Sequence, residues 1–267
     1  MKAPAVAYAK PRSLAEAFEL LERPGAKALA GGQSLIASLN MRLSSPELLV
    51  DLTALDDLQG ISLDRGVVRI GALVTHAEIE RSDVVREHLP LLAEAVRHIA
   101  HPAIRNRGTL GGSLALADPA AEYPACVLAM EGVIFARSSQ GQRQIKAADF
   151  FKGLFETDLQ PGELLAAVEI TAQLKDERSV FLELARRRGD YATVGLAAFA
   201  TNGTKRLAYF GAADRAVLAQ SAASAKDLES AKAALAKDLQ PPADLYHSSA
   251  TKLHLAQVLL ERAWNRL

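Results

Sequence analysis

The sequence predicts an α+β fold on three observations. Strand and helix patterns alternate over residues 1 to about 55. Apolar runs joined by turns, one of them a hairpin, follow through the middle of the chain, and strand-like runs recur after residue 178. Two amphipathic helical stretches then close it. With 267 residues, 49% of them hydrophobic, there is enough apolar surface for a sizeable core in two or three subdomains.

The elements follow in order. VAYAKP (6–11) is a short strand ended by Pro11. Ser13 then caps a helix through Leu21, with Glu16 three residues on as in a capping box. The apolar stretches ending at Ala30 and Leu52 are strands, which makes residues 1 to about 55 a small α/β unit. ISL and VVRIGAL flank the turn DRG and predict a hairpin. Thr75, with Glu78 three residues later, starts a helix, and SDVVREHLPLLAEAVRHIA (82–100) is read as helical until HPAIRNRG breaks it. One or two helices follow residue 113. GVIFARSSQGQRQIKAADFF (132–151) is a strand pair, and TDLQPGELLAAVEI (157–170) is a turn and a strand. Beyond residue 178, SVFLELARRRGDYATVGLAAFA has strand-like ends around a charged centre, KRLAYF adds a strand, and helices follow from Ala225 and Ala250.

Two glycine-rich stretches interrupt this pattern. AGGQSL (30–35) places Gly31, Gly32, Gln33 and Ser34 between apolar segments. RNRGTLGGSLALADP (105–119) repeats that chemistry with Thr109, Gly111, Gly112 and Ser113. Glycines allow another group close to the main chain, and free backbone N–H groups bind anions. Each stretch alone is equally well a turn with a serine cap. Two together suggest one extended anionic ligand such as a diphosphate, held by N–H groups without a lysine. Neither fits GxGxxG or a nucleotide-hydrolysing P-loop. Asp118 is placed to accept bonds from ribose hydroxyls, or to cap the helix that follows Pro119.

Composition excludes several classes. The 31 basic and 31 acidic residues cancel, which gives no electrostatic case for nucleic acid or an anionic membrane. No apolar run spans a bilayer, and the N-terminus lacks the apolar stretch of a signal peptide. The single cysteine, Cys126, rules out an internal disulfide, a cysteine-ligated cluster and a zinc finger. The expectation is a soluble cytoplasmic protein. His98 and His101, three apart, are a weak metal pair without a third ligand, so no metal site is predicted; His247 and His254 are read as surface positions. Asp51, Asp56 and Asp57 are read as a solvated turn. Arg186, Arg187 and Arg188 form a basic run, either solvated or near a phosphate or a subunit contact. There is no GxSxG elbow, and no acid, base or nucleophile stands out, so a cofactor must carry any chemistry.

The motifs AGGQSL at 30–35, IGALVTHAEIE at 70–80 and IAHPAIRNRGTLGGSLALADPAAEYPA at 99–125, with TDLQPGELLAAVEI and RRRGDYATVGLAAF (186–199), resemble the FAD-binding medium subunit of the molybdenum hydroxylases. That family includes carbon monoxide dehydrogenase and xanthine dehydrogenase. The resemblance covers essentially the whole chain. It implies an FAD-binding domain of the vanillyl-alcohol-oxidase type over residues 1–175, with subdomains of about 1–55 and 56–175, and a small C-terminal domain with an antiparallel sheet over 176–267. It implies that Ala30, Gly31, Gly32, Gln33, Ser34 and Leu35, with Thr109, Gly111, Gly112 and Ser113, hold the FAD diphosphate. Thr75 and Ala100 would lie along the cofactor, Asp118 at its ribitol or ribose, Leu165 near adenine or flavin, and Tyr191 near the flavin.

By the same resemblance, a large molybdopterin subunit hydroxylates the substrate and a small subunit with two 2Fe-2S clusters passes electrons to this FAD. The FAD then reduces an external acceptor, and the assembly is a dimer of heterotrimers, a heterohexamer. Many relatives carry a lysine in the strand before RxGD. Here Leu182 and Glu183 stand in that stretch, so flavin contacts and potential are expected to differ. The lone cysteine excludes the extra iron–sulfur loop of some relatives. The alternatives are a stand-alone flavin oxidase and an FAD-binding maturation or interaction protein.

Overall fold

The computed structural model describes residues 2–267. Its first layer is a parallel sheet of β1 (Ala7–Ala9), β2 (Ala26–Leu29) and β3 (Leu48–Asp51), in the order β1-β3-β2, with α1 (Leu14–Leu21) and α2 (Leu35–Asn40) in the two crossovers. Parallel pairing requires such crossovers. Ser13 caps α1 by accepting from the Glu16 N–H. The Glu16 carboxylate takes the Arg12 N–H rather than that of Ser13, so the box closes one residue early.

Asp51 corrects the expectation of a solvated turn. It is buried at the end of β3, where it accepts the Tyr8 hydroxyl from β1 and the Thr53 N–H and hydroxyl, at 2.9 and 2.6 Å. Lys10 Nζ lies 3.8 Å away. Asp56 and Asp57 are exposed, as read.

The second layer is an antiparallel five-stranded sheet in the order β4-β5-β10-β6-β7. Its strands are β4 (Ile61–Asp64), β5 (Val67–Gly71), β6 (Val133–Ser138), β7 (Gly141–Lys146) and β10 (Leu164–Thr171). The DRG hairpin forms as expected, with Arg65 and Gly66 both at positive φ. A small pair, β8 (Phe151–Gly153) and β9 (Glu156–Thr157), follows α9 (Ala147–Phe150). Between β5 and β6 run α3 (His76–Arg81), α4 (Asp83–His88), α5 (Pro90–Ala95), α6 (Pro102–Arg105), α7 (Leu110–Leu116) and α8 (Glu122–Ala129).

The single helix read over 82–100 is therefore two. Pro90 pushes Leu89 out of the helical region, to φ −133° and ψ 59°, and starts α5. α5 ends at Ala95, and His101 precedes α6, so His98 and His101 do not share a helix face.

The third layer is an antiparallel sheet of β11 (Arg178–Ala185), β12 (Ala192–Thr201), β13 (Thr204–Phe210) and β14 (Val217–Leu218), followed by α10 (Gln220–Ala223), α11 (Leu228–Asp238) and α12 (Ser249–Trp264). Both faces of this sheet are covered, which is why β12 is apolar without alternation. Val194, Leu196 and Ala198 pack with α11 and α12. Ala192, Ala197 and Phe199 join the large core around α5 and α8. Gly195 lies under the Phe210 ring of the paired strand, where a Cβ would overlap the ring. Among the described residues no helix is long and apolar enough to cross a membrane.

Asp51→Ala removes the shared acceptor of Tyr8 and Thr53, both of which water can still reach, and should cost about 1 kcal/mol, read as a lower urea midpoint at unchanged m. Burial pushes this carboxyl up, but hydrogen bonds from Thr53 and Tyr8 outweigh it and hold it below its usual range. Its stabilisation is thus present above the unfolded carboxylate value of about 4 and is lost as pH falls through the lower folded value. The variant should show a flatter acid limb of stability against pH.

Candidate functional site

The first glycine stretch turns β2 into α2. A Cβ on Gly31 would overlap the carbonyl oxygen of Arg107, so only glycine lets these two backbones touch. Gly32 has φ +73°. Gln33 Nε2 donates to the Gly31 carbonyl at 3.0 Å and braces the turn. Ser34 precedes α2 in helical conformation, and its side chain caps nothing, contrary to the serine-cap reading. Among the described residues, the main-chain N–H groups of Gly32, Gln33, Ser34 and Leu35 have no protein acceptor. Four such groups in succession suit an anion's oxygens.

The second stretch differs. Gly111 and Gly112 lie inside the first turn of α7, which Thr109 caps by accepting the Gly112 N–H at 3.1 Å. Its other N–H groups are also taken: Leu110 donates to Val74, Gly111 to Ala72 and Ser113 to Thr109. The two stretches do not offer the same groups, as their sequences suggested. The second contributes closeness instead. A Cβ on Gly111 would sit 2.5 Å from that of Ala72, and one on Gly112 would press on the Thr109 hydroxyl at 2.8 Å and face Ala30 at 3.8 Å. The two stretches therefore meet, with Ala30 and Gly112 side by side.

Thr75 joins them. It pairs with Thr109 in an isolated β-bridge, and the His76 N–H donates to Gly108 at 2.9 Å. The expected capping box is complete: Thr75 accepts the Glu78 N–H, and the Glu78 carboxylate takes the Thr75 N–H at 2.7 Å.

Ala117 ends α7 at φ +52° and delivers Asp118. Asp118 Oδ1 accepts the Ala120 N–H at 2.9 Å. The residue before α8 is Ala121, so Asp118 forms a local turn and is not that helix's cap, which corrects one of its two readings. Burial pushes its carboxyl above the ordinary value. Ala100, at φ +46°, offers its carbonyl to Arg105 at 3.2 Å and touches Gly189, whose Cβ would fall 2.6 Å from that oxygen. The turn between β11 and β12 thus rests on Ala100 and carries Tyr191, which is 69% exposed. Leu165 is buried in the large core, next to a bulge in β10. Arg186 stacks on Tyr246, 4.1 Å from the ring centroid, while Arg187 and Arg188 are exposed. Among the described residues no three His, Cys, Asp or Glu side chains gather as metal ligands.

Sequence reasoning missed a buried acidic pair. Glu122, on α8, is 8% exposed, and the side chain of Glu183, on β11, is 3% exposed. Burial, and then Glu183, pushes Glu122 up to about 8, and burial pushes Glu183 to about 7. His76 is also buried, against Tyr123, and burial lowers it to about 4. The available signal was a glutamate set within the apolar run EYPACVLA and another between two leucines of a strand.

Comparison with known proteins agrees with this geometry. The sequence profile described as "FAD binding domain in molybdopterin dehydrogenase" matches residues 4–172. The medium subunit of nicotine 6-hydroxylase from Paenarthrobacter nicotinovorans is 38% identical, over 98% of this chain and 97% of that protein. A chain of carbon monoxide dehydrogenase from Hydrogenophaga pseudoflava superposes with a TM-score of 0.95 at 33% identity, covering 100% of this chain and 98% of the other. A chain of quinoline 2-oxidoreductase from Pseudomonas putida 86 gives 0.91 at 38% identity, over 98% and 96%. The free N–H run, the side-chain-free contact beside it and these likenesses make one conclusion: this chain belongs to the family of FAD-binding medium subunits of the molybdopterin-dependent dehydrogenases and hydroxylases.

Proposed function

We propose that this subunit takes electrons from an iron–sulfur subunit and passes them through its FAD to an external acceptor. Substrate hydroxylation then belongs to a large molybdopterin subunit, and the assembly is a dimer of heterotrimers. The observation that carries the reading is the run of four unpartnered N–H groups at 32–35, next to Gly31, which touches the Arg107 backbone with no side chain between. When bound, FAD supplies a ring that accepts electrons and gives them back.

The chain's own residues bind and orient. The N–H groups of Gly32, Gln33, Ser34 and Leu35 meet the diphosphate. Gly112 and Ala30 leave room for it, and Gly31 and Gly111 hold the surrounding backbones at contact. The Ser113 hydroxyl and the capped Thr75–Thr109 bridge border the same space. Asp118 keeps one carboxylate oxygen for a ribitol or ribose hydroxyl. Ala100 would lie along the cofactor, Tyr191 near the flavin, and Leu165, in the core, near adenine or flavin. Residues 1–175 form the FAD domain in two parts, about 1–55 and 56–175, and residues 176–267 form the C-terminal domain. A buried free Cys126 suits a reducing compartment, and the cytoplasm is the proposed location.

The test is an absorption spectrum of the protein purified from its native host, with companions identified by mass. Flavin and iron–sulfur absorption, molybdenum and two further polypeptides establish the reading; flavin on this chain alone overturns the electron-transfer assembly. Gly112→Val should remove FAD from a chain that still gives a native circular-dichroism spectrum, and added FAD should no longer raise its Tm. Gly31→Ala forces apart two backbones and should cost about 1–3 kcal/mol in thermal stability as well as FAD. Asp118→Ala should weaken FAD binding about tenfold by titration, the value of one hydrogen bond to a charged group.

A further inference from the structure

The connection from β11 to β12 runs from Arg186 to Tyr191, between the paired Ala185 and Ala192. The Asp190 N–H closes a turn within it by donating to the Arg187 carbonyl at 3.1 Å. One side of this connection is hollow. A cavity of about 370 Å³ is lined there by Arg187, Arg188 and Gly189, together with Glu94, Arg97 and His98 from α5 and the residues after it. Two contacts hold the connection instead. Gly189, at φ +83°, rests on the Ala100 backbone. Arg186 lays its guanidinium over the Tyr246 ring, 4.1 Å from the centroid. Of the three arginines in the run, Arg186 is the one with a ring beneath it among the described residues.

Tyr246 is itself fixed from below. It lies in the irregular segment between α11 and α12. Asp244 Oδ1 accepts the N–H groups of Tyr246 and His247, both at 2.8 Å, and the Asp244 N–H donates to the His247 carbonyl at 2.9 Å. Asp244 Oδ2 takes Lys252 Nζ at 2.8 Å. Lys252 stands on α12 with its side chain only 8% exposed, so this charge-assisted bond ties the segment to the helix. The Tyr246 ring is 65% exposed and adds little to the core. What it meets is the Arg186 guanidinium, and edge-on the neighbouring His247 ring at 6.4 Å.

We propose that Tyr246 is a positioning residue of the redox site: held by Asp244 and Lys252, it clamps Arg186 and so fixes the connection that carries Tyr191 beside the flavin. The inference rests on the FAD reading. Tyr191 is 69% exposed, and a ring this exposed is not held by packing of its own. The backbone on either side of it therefore decides where the ring lies. Ala192 is fixed in β12, and Gly189 is fixed on Ala100. Arg186 fixes the remaining end. An exposed cation–π contact shifts such an equilibrium by about two- to fivefold.

Two measurements on the full chain test this. In FAD-free protein, Tyr246→Leu should speed amide hydrogen exchange at Asp190, followed by NMR, about two- to fivefold. Tyr246→Phe keeps the ring and should keep the wild-type rate. Arg186→Gln should give the same increase as Tyr246→Leu, and the two together no more than either alone. In FAD-loaded protein, a tyrosine in contact with a flavin quenches its fluorescence. Tyr246→Leu should therefore raise flavin emission, and Tyr246→Phe should not. In a Tyr191→Phe background, Tyr246→Leu should change nothing further. Equal exchange at Asp190 in wild type and Tyr246→Leu overturns the clamp. Equal emission in those two proteins, or a rise that persists in the Tyr191→Phe background, overturns the positioning role. A chain that takes up no FAD removes that role together with the cofactor reading, and the exchange rates still decide the clamp.

Discussion

Close backbone approach at glycines is the constraint on which the site depends. Gly31 lies against the Arg107 carbonyl with no side chain between, and Gly111 lies against Ala72 with only that alanine's methyl at the contact. Gly71 lies against Leu58 and Gln59. The first two contacts join segments far apart in sequence. Hydrogen bonds cross two of the joints, from Leu73 N–H to Leu58 and from Gly111 N–H to Ala72, at 2.8 and 2.9 Å. Backbone contacts have no rotamers with which to absorb a misfit. The parallel sheet, the five-stranded sheet and the start of α7 therefore move as one block. That rigidity keeps Ala30, at the head of the first stretch, beside Gly112.

The parts of the fold legible in the sequence were those that local chemistry determines. Ser13 and Thr75 each declare a helix start, because a hydroxyl three residues before a glutamate satisfies an otherwise orphan N–H. The DRG hairpin is legible because few residues accept positive φ in succession. The break at Leu89 was legible too, since Pro90 restricts its predecessor, but the helical periodicity on both sides concealed it. The remainder depends on distant parts of the chain. Nothing near Asp51 announces Tyr8, 43 residues away. The near-identical glycine stretches look equivalent, yet only tertiary neighbours decide which N–H groups stay free: Val74 and Ala72 occupy those of the second, and no acceptor approaches the first. At Asp118, both readings required knowing where α8 begins.

The C-terminal sheet does two jobs because its faces differ. One face holds α11 and α12, which make a hydrophobic unit with β12 and β13. The other closes over α5 and α8, where Phe210 stacks on Phe181, 5.6 Å between centroids, and Phe181 meets the His98 ring at 5.0 Å. Arg206 fastens the same seam by donating to the last turn of α8, at the Ala129 carbonyl, 2.6 Å away. A sheet clamped in this way holds side chains along its seam out of bulk water. The Glu183 side chain lies there at the inner end of a cavity, and burial pushes its carboxyl up to about 7.

That shift bears on how a chain of zero net charge accommodates an anionic cofactor. No lysine is needed where four N–H groups converge, because each unpaired donor is half of an interaction waiting for oxygen. These donors sit in an exposed turn and are hydrated in the free protein, so keeping them unpartnered carries no burial penalty. Acidic groups around the site would oppose the cofactor's charge if they were ionised. Burial pushes Glu122 up to about 8 and Glu183 to about 7, which favours their neutral forms, while Asp118 keeps the Ala120 N–H as a partner. The same desolvation that makes the seam stable on its apolar side therefore removes repulsion on its polar side. Packing and electrostatics are then two consequences of one arrangement, the closure of the C-terminal sheet over α5 and α8.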